Sequence, residues 1–119
     1  MKSFLATQQI NRPLFVDFDL YAEGDTEFKK ELITHMISNL VELQQELQAA
    51  IDQNDLKIFR AACHKYHTTV SMLADPGLDA AIDSIKEGIT GPDTEQKIER
   101  FNFLCVVIIK SLEKEHLES

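Results

Sequence analysis

Residues 55–73 read DLKIFRAACHKYHTTVSML, and two stripes of side chains recur along them at helical spacing. Apolar side chains recur at alternating steps of three and four, which predicts the buried face of one α-helix. Polar side chains recur at similar steps, rotated to one side of the apolar face. The apolar stripe is Leu56, Phe59, Cys63, Tyr66, Val70 and Leu73, and the polar stripe is Arg60, His64, His67, Thr68 and Ser71. Packing of the apolar stripe would leave His64 at the edge of the core, open to water.

Two helices are predicted before this segment. A short one occupies about Asp17–Ala22 and is ended by Gly24. A long one begins at Asp25 or Thr26 and continues to about Ile51. The polar turn that follows is short, so the long helix and the 55–73 helix should be antiparallel neighbours. The predicted apolar face of the long helix is Phe28, Leu32, Met36, Leu40, Leu43, Leu47 and Ile51.

Two more helices are predicted after the 55–73 segment. The run Asp75-Pro76-Gly77 stops the 55–73 helix, which we call the central helix, near Ala74. It also starts the next helix, because Asp caps helices and Pro suits a first helical turn. The last helix begins at Asp93 or Thr94, with Gln96 spaced as in a capping box. The core stripes are Leu78, Ile82, Ile85 and Ile89 in the first of these helices, and Ile98, Phe101, Cys105, Ile108 and Leu112 in the second.

No stretch alternates with the period of two that a half-buried strand requires. The sequence therefore predicts an all-α fold, an up-down-up-down four-helix bundle with a short N-terminal helical extension. Residues 1–16 form an N-terminal lead-in and residues 17–119 one helical domain. Cys63 and Cys105 lie within apolar stripes, which favours buried thiols over a disulfide or a metal ligand.

The composition narrows the classes of partner. A formal charge of −8 at pH 7 disfavours nucleic acid and anionic membrane surfaces. The N-terminus lacks the apolar core of a signal peptide, and the longest apolar run, residues 103–109, is too short to cross a bilayer. We therefore expect a cytoplasmic protein, and a monomer.

The segment around His64, AACHKYHTTVSMLA at residues 61–74, resembles the histidine phosphotransfer (HPt) domain family of two-component phosphorelays. The run GDTEF at residues 24–28, which opens a long helix, and LQAAIDQND at residues 47–55 also stand where that family has similar segments. The resemblance extends over about residues 18–115. It implies the four-helix bundle that the periodicity predicts independently.

The resemblance also implies a function. His64 matches the phosphorylated position, so its imidazole would take a phosphoryl group from an aspartate of one receiver domain and pass it to another. The partner would be the receiver domain of a response regulator or of a hybrid histidine kinase. The chain would need no cofactor of its own, since the receiver supplies the Mg²⁺, and no autonomous kinase activity is expected.

Two residues depart from the family pattern. His67 stands where the family has lysine, and Thr68 where it has glycine. His67 carries a positive charge beside a phosphate only when protonated, and an unperturbed imidazole is mostly neutral at pH 7. Thr68 adds a branched side chain where a receiver approaches, although its hydroxyl can bond a phosphate oxygen. Arg60, one turn before His64, is the third candidate for the phosphate side.

Other interpretations stay open. The second hypothesis, after the phosphoryl carrier, is an HPt-like docking module that binds a receiver or another signalling protein without carrying phosphate, and the third and weaker one is a structural helical module. A metal site of Cys63, His64 and His67 is disfavoured, because Cys63 belongs to the core stripe and no further ligands cluster nearby. Antiparallel pairing would bring Asn39 and Glu42 level with His64, where an acceptor would orient its second nitrogen.

Overall fold

The structure is a computed structural model that describes residues 12–89 and 91–119, and in these ranges it is helical with no β-strand. The all-α prediction is thus confirmed for the described part of the chain. Residues 12–17 of the region before the first helix are non-helical, and residues 1–11 of the predicted lead-in lie outside the described residues. The helices are α1 (Phe18–Ala22), α2 (Thr26–Asp52), α3 (Leu56–Lys65), α4 (His67–Leu73), α5 (Pro76–Glu87) and α6 (Thr94–Glu118).

Aspartates cap the N-termini of four helices. The carboxylates of Asp17, Asp25, Asp55 and Asp75 each accept a hydrogen bond from a backbone amide two or three residues further on. The predicted starts of these helices are therefore confirmed.

The capping box predicted for the last helix is wrong. Asp93 makes no side-chain cap at the start of α6. The hydroxyl of buried Thr94 instead lies 2.9 Å from the carbonyl oxygen of Gly88 and 2.7 Å from that of Gly91. The loop between α5 and α6 therefore folds around Thr94 and not around an Asp93–Gln96 pair.

The two long helices organise the packing. Helix α2 contacts α1, α3, α4 and α6, and α6 also contacts α5. All five residues of the stripe predicted for α6 are buried. In α2 the prediction fails at one end, because Phe28 is 45% exposed while Ile33 is fully buried. Lys29 faces the neighbouring helices there, with its Nζ 2.6 Å from Glu115 of α6.

The central helix is interrupted, contrary to the prediction of one continuous helix from Asp55 to near Ala74. It ends at Lys65 and restarts at His67, with Tyr66 at φ −104° and ψ 14° between the two pieces. Tyr66 is buried, and its hydroxyl group lies against two glutamates of α2. We attribute the break to this anchoring, together with the low helix propensity of the β-branched residues 68–70.

The segment before α1 is bound to the helical body through Arg12. Its guanidinium group donates two hydrogen bonds to Asp75, at 2.8 and 2.7 Å. Its backbone amide donates to the Ser111 hydroxyl oxygen at 3.3 Å, and that hydroxyl donates to its carbonyl oxygen at 2.6 Å. The same Asp75 carboxylate caps α5, accepting from Gly77 and Leu78. Arg12 thus links α6 to the start of α5, and we call this connection the Arg12 strap.

Candidate functional site

The predicted site residues all lie on the solvent-facing side of α3 and α4. His64 is in the last turn of α3, one turn after Arg60, and His67 and Thr68 open α4. All four side chains are exposed, as the polar stripe predicts. A histidine in this position has a helix-defined direction and open access to its ring nitrogens.

The site is open and sparsely bonded. The closest polar contact within the stripe is between His67 Nε2 and Ser71 Oγ, at 3.4 Å. Within residues 12–89 and 91–119, no hydrogen bond joins His64 to Arg60, His67 or Thr68. The imidazole of His64 is therefore free to meet a group brought from outside, and its neighbours are free to turn toward that group.

The break at Tyr66 divides the site. Arg60 and His64 belong to the α3 segment, whereas His67 and Thr68 belong to α4. In one regular helix, residues three and four apart lie nearly above one another. The two halves of the polar stripe do not share one uninterrupted helix, which is a difference from the geometry that the sequence predicts.

Beneath this break, Tyr66 binds two carboxylates of α2. Its hydroxyl lies 2.9 Å from Glu42 Oε1 and also contacts Glu46. Burial, followed by the hydrogen bonds to Glu46 and Glu42, raises the pKa of Tyr66 well above its ordinary value, so the phenol remains protonated. Both glutamates therefore accept from the one hydroxyl proton of Tyr66. Lys65 adds a positive charge, with its Nζ 3.4 Å from Glu46 Oε2.

Asn39 and Glu42 do not orient His64, and that prediction is wrong. The Asn39 amide donates to the Thr69 hydroxyl oxygen at 2.7 Å, and Glu42 accepts from Tyr66 and from Ser38. The central-segment residues that bond to Asn39 and Glu42 are the buried Thr69 and Tyr66, and neither belongs to the polar stripe. The register of the two helices was predicted correctly to within a few residues, but Asn39 and Glu42 bond to buried side chains and not to the exposed His64.

A cleft of about 330 Å³ opens next to His67, between the α3–α4 segment and α5. Sequence reasoning did not anticipate it. The only available signal was the spacing of Asp79 and Asp83, four residues apart on one face of a helix. The cleft is lined by Leu43, Cys63, His67, Val70, Asp79, Ile82 and Asp83.

The two cysteines differ in burial. Cys63 is half-buried at the cleft, whereas Cys105 is fully buried in α6. Burial raises the pKa of both thiols, that of Cys105 to about 12, so neither is an activated nucleophile. In the described ranges, no three His, Cys, Asp or Glu side chains are grouped so that they could hold a metal ion.

None of the helices seen in residues 12–89 and 91–119 is long and apolar enough to cross a membrane. Comparison of the chain with protein-family models, with curated proteins and with solved structures found no match. Any assignment of function to His64 therefore rests on its geometry and on the sequence pattern around it.

Proposed function

We propose that this protein is a cytoplasmic histidine phosphotransfer protein, which relays a phosphoryl group between receiver-domain aspartates through His64. The observation that carries the proposal is an exposed histidine at the centre of a polar helix face, on a helix whose opposite face is buried. The HPt-like sequence pattern around that histidine supports it.

The proposal includes the topology of the family. Helices α2, α3–α4, α5 and α6 would form the up-down-up-down bundle, with α1 as the N-terminal extension. The packing of α2 on α3, of α2 on α6 and of α5 on α6 supports this arrangement. The short connections between successive helices favour antiparallel neighbours.

The chemistry proposed for His64 is a reversible exchange between two residues. An unprotonated ring nitrogen attacks the phosphorus of an aspartyl phosphate, an N–P bond forms, the acyl P–O bond breaks, and the aspartate leaves as a carboxylate. A second receiver aspartate reverses these steps. The receiver binds the Mg²⁺, so this chain contributes the nucleophile and its position.

The groups proposed for the phosphate side are Arg60, His67 and Thr68. Arg60 carries a permanent positive charge and forms no salt bridge within the described residues, so it can turn toward a phosphate. Thr68 offers a hydroxyl donor. His67 can donate a hydrogen bond to a phosphate oxygen from a ring N–H.

One observation favours a second candidate, an HPt-like docking module that binds a receiver or another signalling protein without carrying phosphate. The interruption at Tyr66 separates His64 from His67 and Thr68, the two positions at which the sequence departs from the family. A docking surface tolerates such a change more readily than an in-line transfer site. The carrier requires a receiver domain as its partner, whereas the docking module binds a receiver or another signalling protein; both candidates are monomers.

Transfer of acid-labile phosphate from a panel of phosphorylated receiver domains separates the two candidates. If the protein is a carrier, the wild type acquires the labelled phosphate and the His64→Gln variant does not. A matched control is His35→Gln, which removes another exposed histidine, on α2, and should retain labelling. Receiver binding without label would establish the docking module, and neither binding nor label would contradict the carrier and any receiver-docking role.

A further inference from the structure

The cleft beside His67 combines an apolar floor with an acidic rim. Leu43 is fully buried at its base, and Val70 and Ile82 are partly buried along its sides. Asp79 and Asp83 line it from α5, where both are exposed. The cleft is large enough for a side chain of another molecule and is open to solvent.

The charges around the cleft are predominantly negative. Neither Asp79 nor Asp83 forms a salt bridge within residues 12–89 and 91–119. Burial, and then the charges of Asp83 and Asp75, raise the pKa of Asp79. Two basic side chains lie near these carboxylates: His67 lines the cleft, and the charge of Lys86 acts on Cys63. Two carboxylates without a paired cation, above an apolar floor, are complementary to a long basic side chain.

We propose that this cleft receives a lysine or arginine side chain from the surface of the docked receiver domain, an inference that rests on the proposed function. Long basic side chains cover apolar surface with their methylene stems while the charged end stays at the rim. The stem would lie over Val70 and Ile82, and the cation would reach Asp79 and Asp83. An interaction of this kind contributes to partner selection and association rate more than to raw affinity.

The position of the cleft explains why this contact would matter for transfer. His67 lines the cleft and lies on the same exposed stripe as His64. A receiver anchored by a basic side chain in the cleft would therefore cover the polar stripe. The anchor fixes the position of the partner, and His64 remains the reacting group.

The cation preference is testable with a small probe that does not depend on any receiver. We would titrate n-butylguanidinium, and n-butylurea as its neutral analogue, into the ¹⁵N-labelled protein and follow amide shifts. Saturable shifts confined to residues around Val70 and Ile82, seen with the cation alone and lost in Asp79→Asn/Asp83→Asn, would support the proposal. Equal shifts with both probes, or shifts scattered over the surface, would overturn it.

The source of the cation is tested with a receiver that phosphorylates wild-type protein. Asp83→Asn should weaken receiver binding about two- to fivefold and reduce its dependence on salt. Glu87→Gln, one turn further along α5 and outside the cleft, is the control of equal charge change. Unchanged binding by Asp83→Asn would refute the receiver contact. Guanidinium binding without any phosphotransfer would instead refute the proposed function, and guanidinium binding without any receiver binding would refute the receiver as the source of the cation.

Discussion

Tyr66 is the side chain that most distinguishes this structure from a regular central helix. It is 4% exposed, and its hydroxyl group joins the central segment to Glu42 and Glu46. Without the phenol, two like charges four residues apart on α2 would repel each other with less compensation. The hydroxyl therefore contributes both to helix–helix docking and to the break between α3 and α4.

Replacing Tyr66 with Phe should lower the free energy of unfolding by about 1–2 kcal/mol, because it removes a hydrogen bond to charged groups and keeps the ring. Glu42 and Glu46 are accessible enough to recover part of the loss from water. Urea denaturation measures the change. Tyr21→Phe, at an exposed tyrosine, should stay within about 0.5 kcal/mol of wild type. Equal effects of the two substitutions would show that the Tyr66 hydroxyl has no such role.

Gly77 is a second residue with a specific structural role, because its lack of a side chain leaves room for the Arg12 strap. A Cβ atom at this position would lie 2.6 Å from Arg12 Nη2 and 3.2 Å from Asp75 Oδ1. The guanidinium group would have to move, and its hydrogen bonds to Asp75 would be lost or lengthened.

We therefore expect Gly77→Ala to destabilise the protein by about 1 kcal/mol, since loss of charged hydrogen bonds outweighs the helical preference for alanine. In an Arg12→Ala background, the same substitution should be close to neutral or stabilising by up to about 0.5 kcal/mol. Thermal or urea unfolding of the four proteins in this double-mutant cycle gives the coupling between the two sites. Additive effects would mean that Gly77 does not act through Arg12.

Among the described helices, α5 has the N-cap with the most hydrogen bonds, because Asp75 accepts from Arg12 as well as from two backbone amides. Burial alone raises the pKa of Asp75, but its hydrogen bonds to Arg12 and to the amides of Leu78 and Gly77 outweigh burial, so the net pKa is lowered. A carboxylate with a lowered folded-state pKa stabilises the fold above its unfolded pKa of about 3.9. That contribution is lost as the pH falls through the lower, folded-state value.

The stability difference between wild type and Arg12→Met should accordingly be constant from pH 7 to about pH 4.5 and should shrink below about pH 4. Denaturant titrations at pH 7, 5, 4 and 3 would measure it. A difference that persists undiminished at pH 3 would show that the strap stabilises the protein through packing and not through the Asp75 charge.

The helix starts were predictable because their causes are local. Asp25, Asp55 and Asp75 cap the helices that directly follow them, so a few neighbouring residues carry the whole signal. The break at Tyr66 was not predictable in the same way. No proline or glycine marks it, and its cause is on another helix, where Glu42 and Glu46 receive the phenol.

In the candidate site, too, some features follow from the local sequence and others depend on how the helices pack. Periodicity correctly predicted that His64, His67 and Thr68 face water, because exposure follows from the opposite face being apolar. The cleft required knowledge of how α5 lies relative to the central segment. Asp79 and Asp83 are nine or more residues beyond Val70 in the chain, and no local pattern connects them with it.

For the molecule as a whole, the packing of α6 between α2 and α5 should dominate stability. Phe101 is fully buried there, whereas Phe103, two residues further along the same helix, is 55% exposed. Phe101→Ala should cost about 3–5 kcal/mol, and Phe103→Ala less than about 0.5 kcal/mol. Chemical denaturation with matched circular dichroism and fluorescence transitions would measure both. Similar losses at the two positions would indicate that α6 faces its neighbours differently.

The Arg12 strap also has a consequence for biosynthesis. Its backbone hydrogen bonds join residues 99 positions apart, so Arg12 leaves the ribosome long before its partner Ser111 is translated. The strap cannot form until Ser111 has been made, and a contact of this sequence separation carries a loop-closure cost in entropy. We expect the strap to form after the rate-limiting step of folding, so its loss should accelerate unfolding while leaving the refolding rate almost unchanged. Arg12 would thus control the lifetime of the folded state and not the rate at which the protein folds.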